Sequence, residues 1–444
     1  MTAIISSSAT LLRRAVPFFL AVGLGFTATA AEATTVQHIV SPGGIEAWLV
    51  EEEAVPLVTM NFAFKGGATQ DPPEKPGVAN LLSGMLDEGA GDLDSEAFQA
   101  KLDDLSVEMS FEAGREAFFG SLRTLVETRD EAFSLLKLAL TAPRYDEEPL
   151  ARIKNQVETG IRRGSSDPDE LAARSLAAAM FPDHPYGRPV EGTVESVAAI
   201  TKDDLELFRG ASFARSNLRI VVVGAIDAKT LGPLLDATFG SLPENPFLRP
   251  VPETTPAAPG LVDVDFSTPQ AVIRFAGAGV KRDDPDFIPA YVANHILGGG
   301  GFSSRLYTEV REKRGLAYSV STGLAAYDHA GAYFGGTATR VDRGNEALAL
   351  IEEEIRRLAI EGPTEAELEQ AKHYLIGSFA LRFDTSARIA GQLLSYYLDG
   401  LGIDYIDRRN ELFAAVTIED VRRAARRIFG AGPGVVVRVG PKAG

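Results

Sequence analysis

Two stretches of the chain say the same thing twice. Residues 57–80 read LVTMNFAFKGGATQDPPEKPGVAN, and residues 270–294 read QAVIRFAGAGVKRDDPDFIPAYVAN. In each, an alternating strand leads into a Gly-containing Asp-Pro loop and then a helix that opens on V-A-N. The ends match as well: AITKDDLELFRGASFARSNLRIVVVG closes the first half and AVTIEDVRRAARRIFGAGPGVVVRVG the second. The spacing from Ile200 to Gly224 equals that from Val416 to Gly440. Thr201 and Thr417 each precede an acidic helical first turn, as N-caps do. The closing VVVG-type runs read as buried strands. Agreement at both ends in the same order reads as duplication.

Between the halves, prolines 243, 246, 250, 252, 256 and 259 crowd the stretch PENPFLRPVPETTPAAP. Such density fits neither helix nor central strand, so the stretch reads as an extended linker. The expected architecture is α+β, with two homologous domains at 31–242 and 261–444 joined by a Pro-rich linker at 243–260. Each domain is an antiparallel-rich sheet packed with helices, running strand, loop, helix, antiparallel strands, several helices, final strand. RDEAFSLLKLALTAP and the run from Thr364 to Tyr397 supply amphipathic helices. Two such units could close on each other like a clamshell.

Residues 1–30 are set aside as a secretory signal peptide. Arg13 and Arg14 precede the apolar run AVPFFLAVGLGF, and ATA follows. The run is too short to span a membrane, and the small residues suit cleavage after Ala30 or after Ala33. Export together with a complete absence of cysteine excludes thiol chemistry and Cys-zinc sites, and points to the periplasm. A net charge of −17 argues against nucleic acid or anionic lipid as a partner.

The chemistry lies in GVANLLSGMLDEG at 77–89. Val78, Leu81, Leu82, Met85 and Leu86 recur at helical spacing and predict one buried face. The other face carries Asn80, Ser83 and Gly84, the places where H-x-x-E-H peptidases keep two histidine ligands and a catalytic glutamate. A carboxamide and an absent side chain are poor substitutes for imidazole on zinc. Serine cannot take a proton from water near neutral pH as glutamate does.

Three landmarks carry a family resemblance: FKGGATQDPPEKPGVAN, then HPYGRPVEGT at 184–193, then SSRLYTEVREKRGLAYSV at 303–320. With them the chain resembles, over essentially all of its mature length, the insulinase or pitrilysin-like zinc peptidases. Within these it is similar to the short two-domain subunits related to mitochondrial processing peptidase. The resemblance implies a third zinc ligand, a glutamate, near Thr159–Gly160, where none stands. Glu158 is adjacent, but one helical position turns it about 100° away. It also implies a functional arginine and tyrosine seven positions apart, and these are Arg311 and Tyr318. Gly315 reads as the C-cap of the helix carrying Arg311, with Tyr318 opening the next strand. In two-chain members one subunit holds the zinc and the other the Arg/Tyr pair. The chain is therefore read as the non-zinc subunit of a periplasmic heterodimeric metallopeptidase that cleaves peptides. It is inactive alone and binds no metal, and its partner is a homologous H-x-x-E-H subunit holding the zinc. There Tyr318 would donate to the oxyanion and Arg311 would hold a peptide carbonyl. Without that frame, Arg311 is a helix-end charge and Tyr318 a strand aromatic. Two other classes share the fold: an inactive structural core-type subunit and a stand-alone peptide-binding protein.

Other signals fall short. GGGGFSSRL at 298–306 lacks the G-K-[ST] ending of a phosphate loop and reads as a hinge or channel-lining loop. The histidines (His38, His184, His295, His329, His373) show no i, i+4 pairing. His184 is expected to stabilise its loop by a hydrogen bond, and His295 to be a packed helix residue.

Overall fold

The computed structural model describes residues 35–441. The signal at 1–30 and both cleavage points lie outside the described residues. Alternating and continuous apolar runs form β1 (Gln37–Val40), β2 (Glu46–Glu51), β3 (Leu57–Lys65), β4 (Glu108–Ala113), β5 (Ala117–Leu125) and β6 (Leu218–Gly224) in the first half. The second half forms β7 (Gly260–Asp265), β8 (Gln270–Ala278), β9 (Ala317–Ala326), β10 (Gly331–Arg340) and β11 (Val435–Gly440).

The first sheet runs β1-β2-β6-β3-β5-β4 and the second β7-β11-β8-β10-β9. Apart from the extra edge strand β1, the two orders are the same. In each, the closing strand lies parallel to the opening strand and antiparallel to the one after it. Thr201 and Thr417 both form capping boxes, with Asp204 and Asp420 returning the bond. The duplication is thus one of topology as well as of sequence.

Two local expectations are corrected. The helix expected across 77–89 covers only Val78–Ser83, with Gly84 as its C-cap. Met85 N bonds Leu82 O at 2.9 Å, so a tight turn, not further helix, carries Met85 and Leu86 into the core. In the second half V-A-N closes the helix Phe287–Asn294 instead of opening it. Gly77 is the reason for the difference: its φ of +102 is left-handed and stops any helix upstream. Its counterpart Tyr291 is helical, so the second helix starts earlier.

The clamshell expectation also fails, because the halves exchange helices. The first half's helix Pro168–Met180 packs on β8 and β11 of the second sheet. The second half's helix Ser386–Leu398 packs on β3 and β6 of the first. Each sheet therefore buries one face under its own helices and the other under a helix of the other half. Trp48 of β2 stacks on Tyr397 with centroids 4.4 Å apart, and Arg274 meets Asp169 across the halves at 2.8 Å. Truncating Trp48 to alanine should cost about 3–5 kcal/mol, measured as a shift in the urea midpoint at unchanged slope.

The proline-rich stretch is pinned along its length. Arg249 N donates to Gln70 Oε1 (2.6 Å), Thr254 N to His329 O (2.9 Å) and Ala257 N to Met180 O (2.9 Å). His184 accepts from Tyr186 N at Nδ1 and donates from Nε2 to Pro252 O at 2.9 Å, the loop-stabilising role expected of it. Burial lowers its pKa, which suits the neutral ring those two bonds require. Among the described residues, no helix is long and apolar enough to cross a membrane.

Candidate functional site

The degenerate motif helix is held firmly at its start. The buried Asp71 carboxylate accepts from Gly77 N (2.7 Å) and Ala79 N (2.9 Å), satisfying donors at the helix N-terminus. Burial still raises its pKa to about 6. Further along, the Ser83 hydroxyl turns back and donates to Asn80 O at 2.8 Å. A Cβ added at Gly84 would stand 3.0 Å from Ile153 Cγ2, on the long helix Glu147–Gly164.

That long helix carries Thr159 and Gly160 on its exposed side, lining an open groove of about 710 Å³ with Arg152, Asn155, Gln156 and Arg163. Glu158 pairs with Arg162 at 2.8 Å. The residues present do not fit zinc: they offer a carboxamide, a hydroxyl bonded to its own helix, and no side chain at all. Among the described residues, no three His, Cys, Asp or Glu side chains cluster closely enough to hold a metal.

The second constellation is assembled. Gly315, at φ +58, breaks the helix carrying Arg311 and donates its N–H to Arg311 O at 2.9 Å. Tyr318 then stands second in β9. The sequence predicts an ordinary helical turn, but Tyr307–Glu312 is a π-helix, and Lys313 N bonds Thr308 O at 3.0 Å. The Arg311 guanidinium lies 4.4 Å from the Tyr318 ring centroid and 4.8 Å from that of Tyr307. Tyr307 meets Phe302 edge-on at 4.9 Å. Tyr318 is 81 % exposed. Among the described residues Arg311 has only those two rings as partners, which leaves its N–H donors to a ligand. Tyr307 escaped the sequence reading, although its place four residues before Arg311 on one helix was a usable signal.

A cavity of about 560 Å³ lies between the halves, lined by Lys65, Arg115, Glu116, Asp328, Ser395 and Asp399 among others. Glu116 accepts from the Tyr186 hydroxyl and from Asp328 N, and burial raises its pKa. The cavity touches β9 only at Ala326, roughly 25 Å along the strand from Tyr318. Neither Arg311 and Tyr318 nor Asn80, Ser83 and Gly84 line it. No hydrogen bond, ion pair or ring contact among the described residues joins those two sets. His295 is packed, as expected: it stacks on Tyr374 at 5.1 Å, and burial lowers its pKa.

Residues 48–194 match the family described as Insulinase (Peptidase family M16), and residues 199–375 match the Peptidase M16 inactive domain. A solved M16 inactive-domain structure from Pseudomonas fluorescens is 30 % identical, covers 92 % of this chain and 98 % of its own, and superposes with a TM-score of 0.86. The chain belongs to the M16 peptidase family. Among curated M16-like relatives, a non-peptidase homolog of Helicobacter pylori is 28 % identical over 87 % of this chain and 90 % of its own. An uncharacterized zinc protease of Streptomyces coelicolor is 27 % identical over 92 % and 90 %. The two α+β domains are those of the M16 fold. Within the family's motif helix this chain has Asn80, Ser83 and Gly84 where the H-x-x-E-H residues stand.

Proposed function

We propose that this chain is the non-zinc subunit of a heterodimeric M16 zinc peptidase, exported to the periplasm. In that reading Arg311 and Tyr318 act on peptide substrates at the H-x-x-E-H site of a homologous partner subunit. One observation carries it: an exposed Tyr318 and a half-buried Arg311 are stacked, with no ion pair on the guanidinium, in a chain whose own motif helix lacks the histidines and glutamate of a zinc site. Neither side chain is committed to an ion pair or hydrogen bond among the described residues. An arginine clasped by two rings has instead lost rotamer freedom before any ligand arrives.

The partner's zinc would polarise the scissile carbonyl and activate the attacking water. Tyr318 would donate its hydroxyl proton to the carbonyl oxygen as charge develops there, and would do so at no reorganisation cost. Arg311 would hold a neighbouring peptide carbonyl through two N–H donors, fixing the bond in line for attack. A purely structural role suits the interlocked halves, but it leaves the free guanidinium without a task.

The test uses the mature chain alone and in complex. Alone, after dialysis, it should hold no stoichiometric zinc and cleave no peptide. Co-expressed with an H-x-x-E-H subunit, Arg311→Ala should raise KM and lower kcat together, because the guanidinium grips substrate in the ground state as well. An Arg311→Ala complex with unchanged kinetics would remove this function.

A further inference from the structure

We propose that Glu309 is a positioning residue. On this inference, which rests on the preceding reading, it ties down Lys313 and Arg314 so that Arg311 alone is presented from the π-turn onto Tyr318. The run R-E-K-R at 311–314 carries three cations within four residues. Only one of them is free. The Glu309 carboxylate, 9 % exposed, accepts from Lys313 Nζ at 2.7 Å and from Arg314 Nη1 at 2.6 Å. Arg314 Nη1 also donates to Glu309 O at 3.1 Å. Lys313 first, then Arg314, hold the Glu309 pKa below the ordinary carboxylate value.

Two further ion pairs lie near this turn. Arg305 grips Glu367 with two bonds at 2.6 and 2.8 Å, and Arg357 pairs with the buried Glu354 at 2.6 Å. Arg311 is thus the cation of this run left without an ion pair, packed on the rings of Tyr307 and Tyr318.

The spacing explains the choice of Glu309. Residues five apart become neighbours where a helix widens to i→i+5 bonding, and Glu309 and Arg314 are five apart. Their bond spans the π-turn and resists its collapse to an ordinary helix. Collapse would shed one residue from the turn and rotate the downstream residues by about 100°. Arg311 would then leave the Tyr318 ring, while Arg314, no longer opposite Glu309, would be released as a rival grip for the same carbonyl.

Two measurements test this. In the purified mature chain, nuclear Overhauser contacts between the Arg311 side chain and the Tyr318 ring should be present, and should vanish in Glu309→Gln. Arg314→Met removes the five-residue link but keeps the carboxylate and Lys313. It should lose the same contacts and covers the case in which Glu309→Gln folds poorly. Contacts that persist in either folded variant overturn the proposal.

In the assembled complex, Glu309→Gln should lower kcat by roughly ten- to a hundredfold, as small misplacements of a reacting group do. The double variant with Arg311→Ala should be no slower than Arg311→Ala alone. Losses that multiply would mean that Glu309 acts elsewhere, and would overturn the proposal. If Arg311→Ala itself changes nothing, the partner-site reading fails. The ring contacts in the isolated chain then still decide the role of Glu309.

Discussion

In a complex of this chain with the proposed zinc-bearing partner, Tyr318→Phe is expected to slow peptide cleavage about a hundredfold, a loss of about 3 kcal/mol of transition-state stabilisation. The reason is how little else the substitution disturbs. Tyr318 projects from the start of β9 with 81 % of its surface in solvent, so almost no packing rests on its hydroxyl. The ring face that meets Arg311 at 4.4 Å survives in phenylalanine, and with it the cation–π contact. Only the proton donor is removed. Assembly measured by gel filtration should be unchanged and KM nearly so, with the deficit in kcat. A correctly assembled Tyr318→Phe complex running at full speed would leave this chain as scaffold.

The second large effect concerns the exchange of helices. Residues 36–242 expressed alone should give no soluble, cooperatively folding domain. The fragment keeps Trp48, Val50, Ala63, Val221 and Val223 on one face of its sheet. It loses Ala390, Leu393, Leu394 and Tyr396, which cover them from the other half. Each large apolar side chain so uncovered forfeits about 1.5–3 kcal/mol, and a few together exceed the margin of an ordinary domain. Co-expression with residues 260–441 should restore solubility and a single unfolding transition. A monomeric fragment that unfolds cooperatively by itself would show that the far sheet face does not need its cover.

Much of this architecture was legible because duplication is a pattern of sequence. The alternation in 57–65 and 270–278, the threonine caps at 201 and 417, and the glycine at 315 are local signals with local causes. The helix exchange was not legible. The apolar stripe of SARIAGQLLSYYL says that one face is buried, but periodicity does not say which half supplies the cover. The clamshell expectation failed on that gap alone.

The site divides in the same way. The loss of metal ligands at Asn80, Ser83 and Gly84 is a matter of residue identity, and identity is what a sequence states. The true extent of the motif helix turned on Gly84 and a three-residue turn bond, which compete with helix on narrow terms. The π-turn under Arg311 depends on ion pairs between side chains whose partners are chosen only once the chain has folded. Tyr307 was different: its place four residues before Arg311 was a usable signal, and its contact with that guanidinium is local.

The central claim is that this chain lends Arg311 and Tyr318 to a metal site it does not own, and reconstitution tests it most directly. The purified mature chain is titrated into a purified H-x-x-E-H subunit, and cleavage of a quenched fluorescent peptide is followed at each ratio. The account predicts near-background rates for either subunit alone and a rise that saturates at one-to-one stoichiometry. It also predicts that the rise is lost when Arg311→Ala and Tyr318→Phe are combined. A zinc subunit that is fully active without this chain, or a rise that the double variant supports equally well, would contradict it.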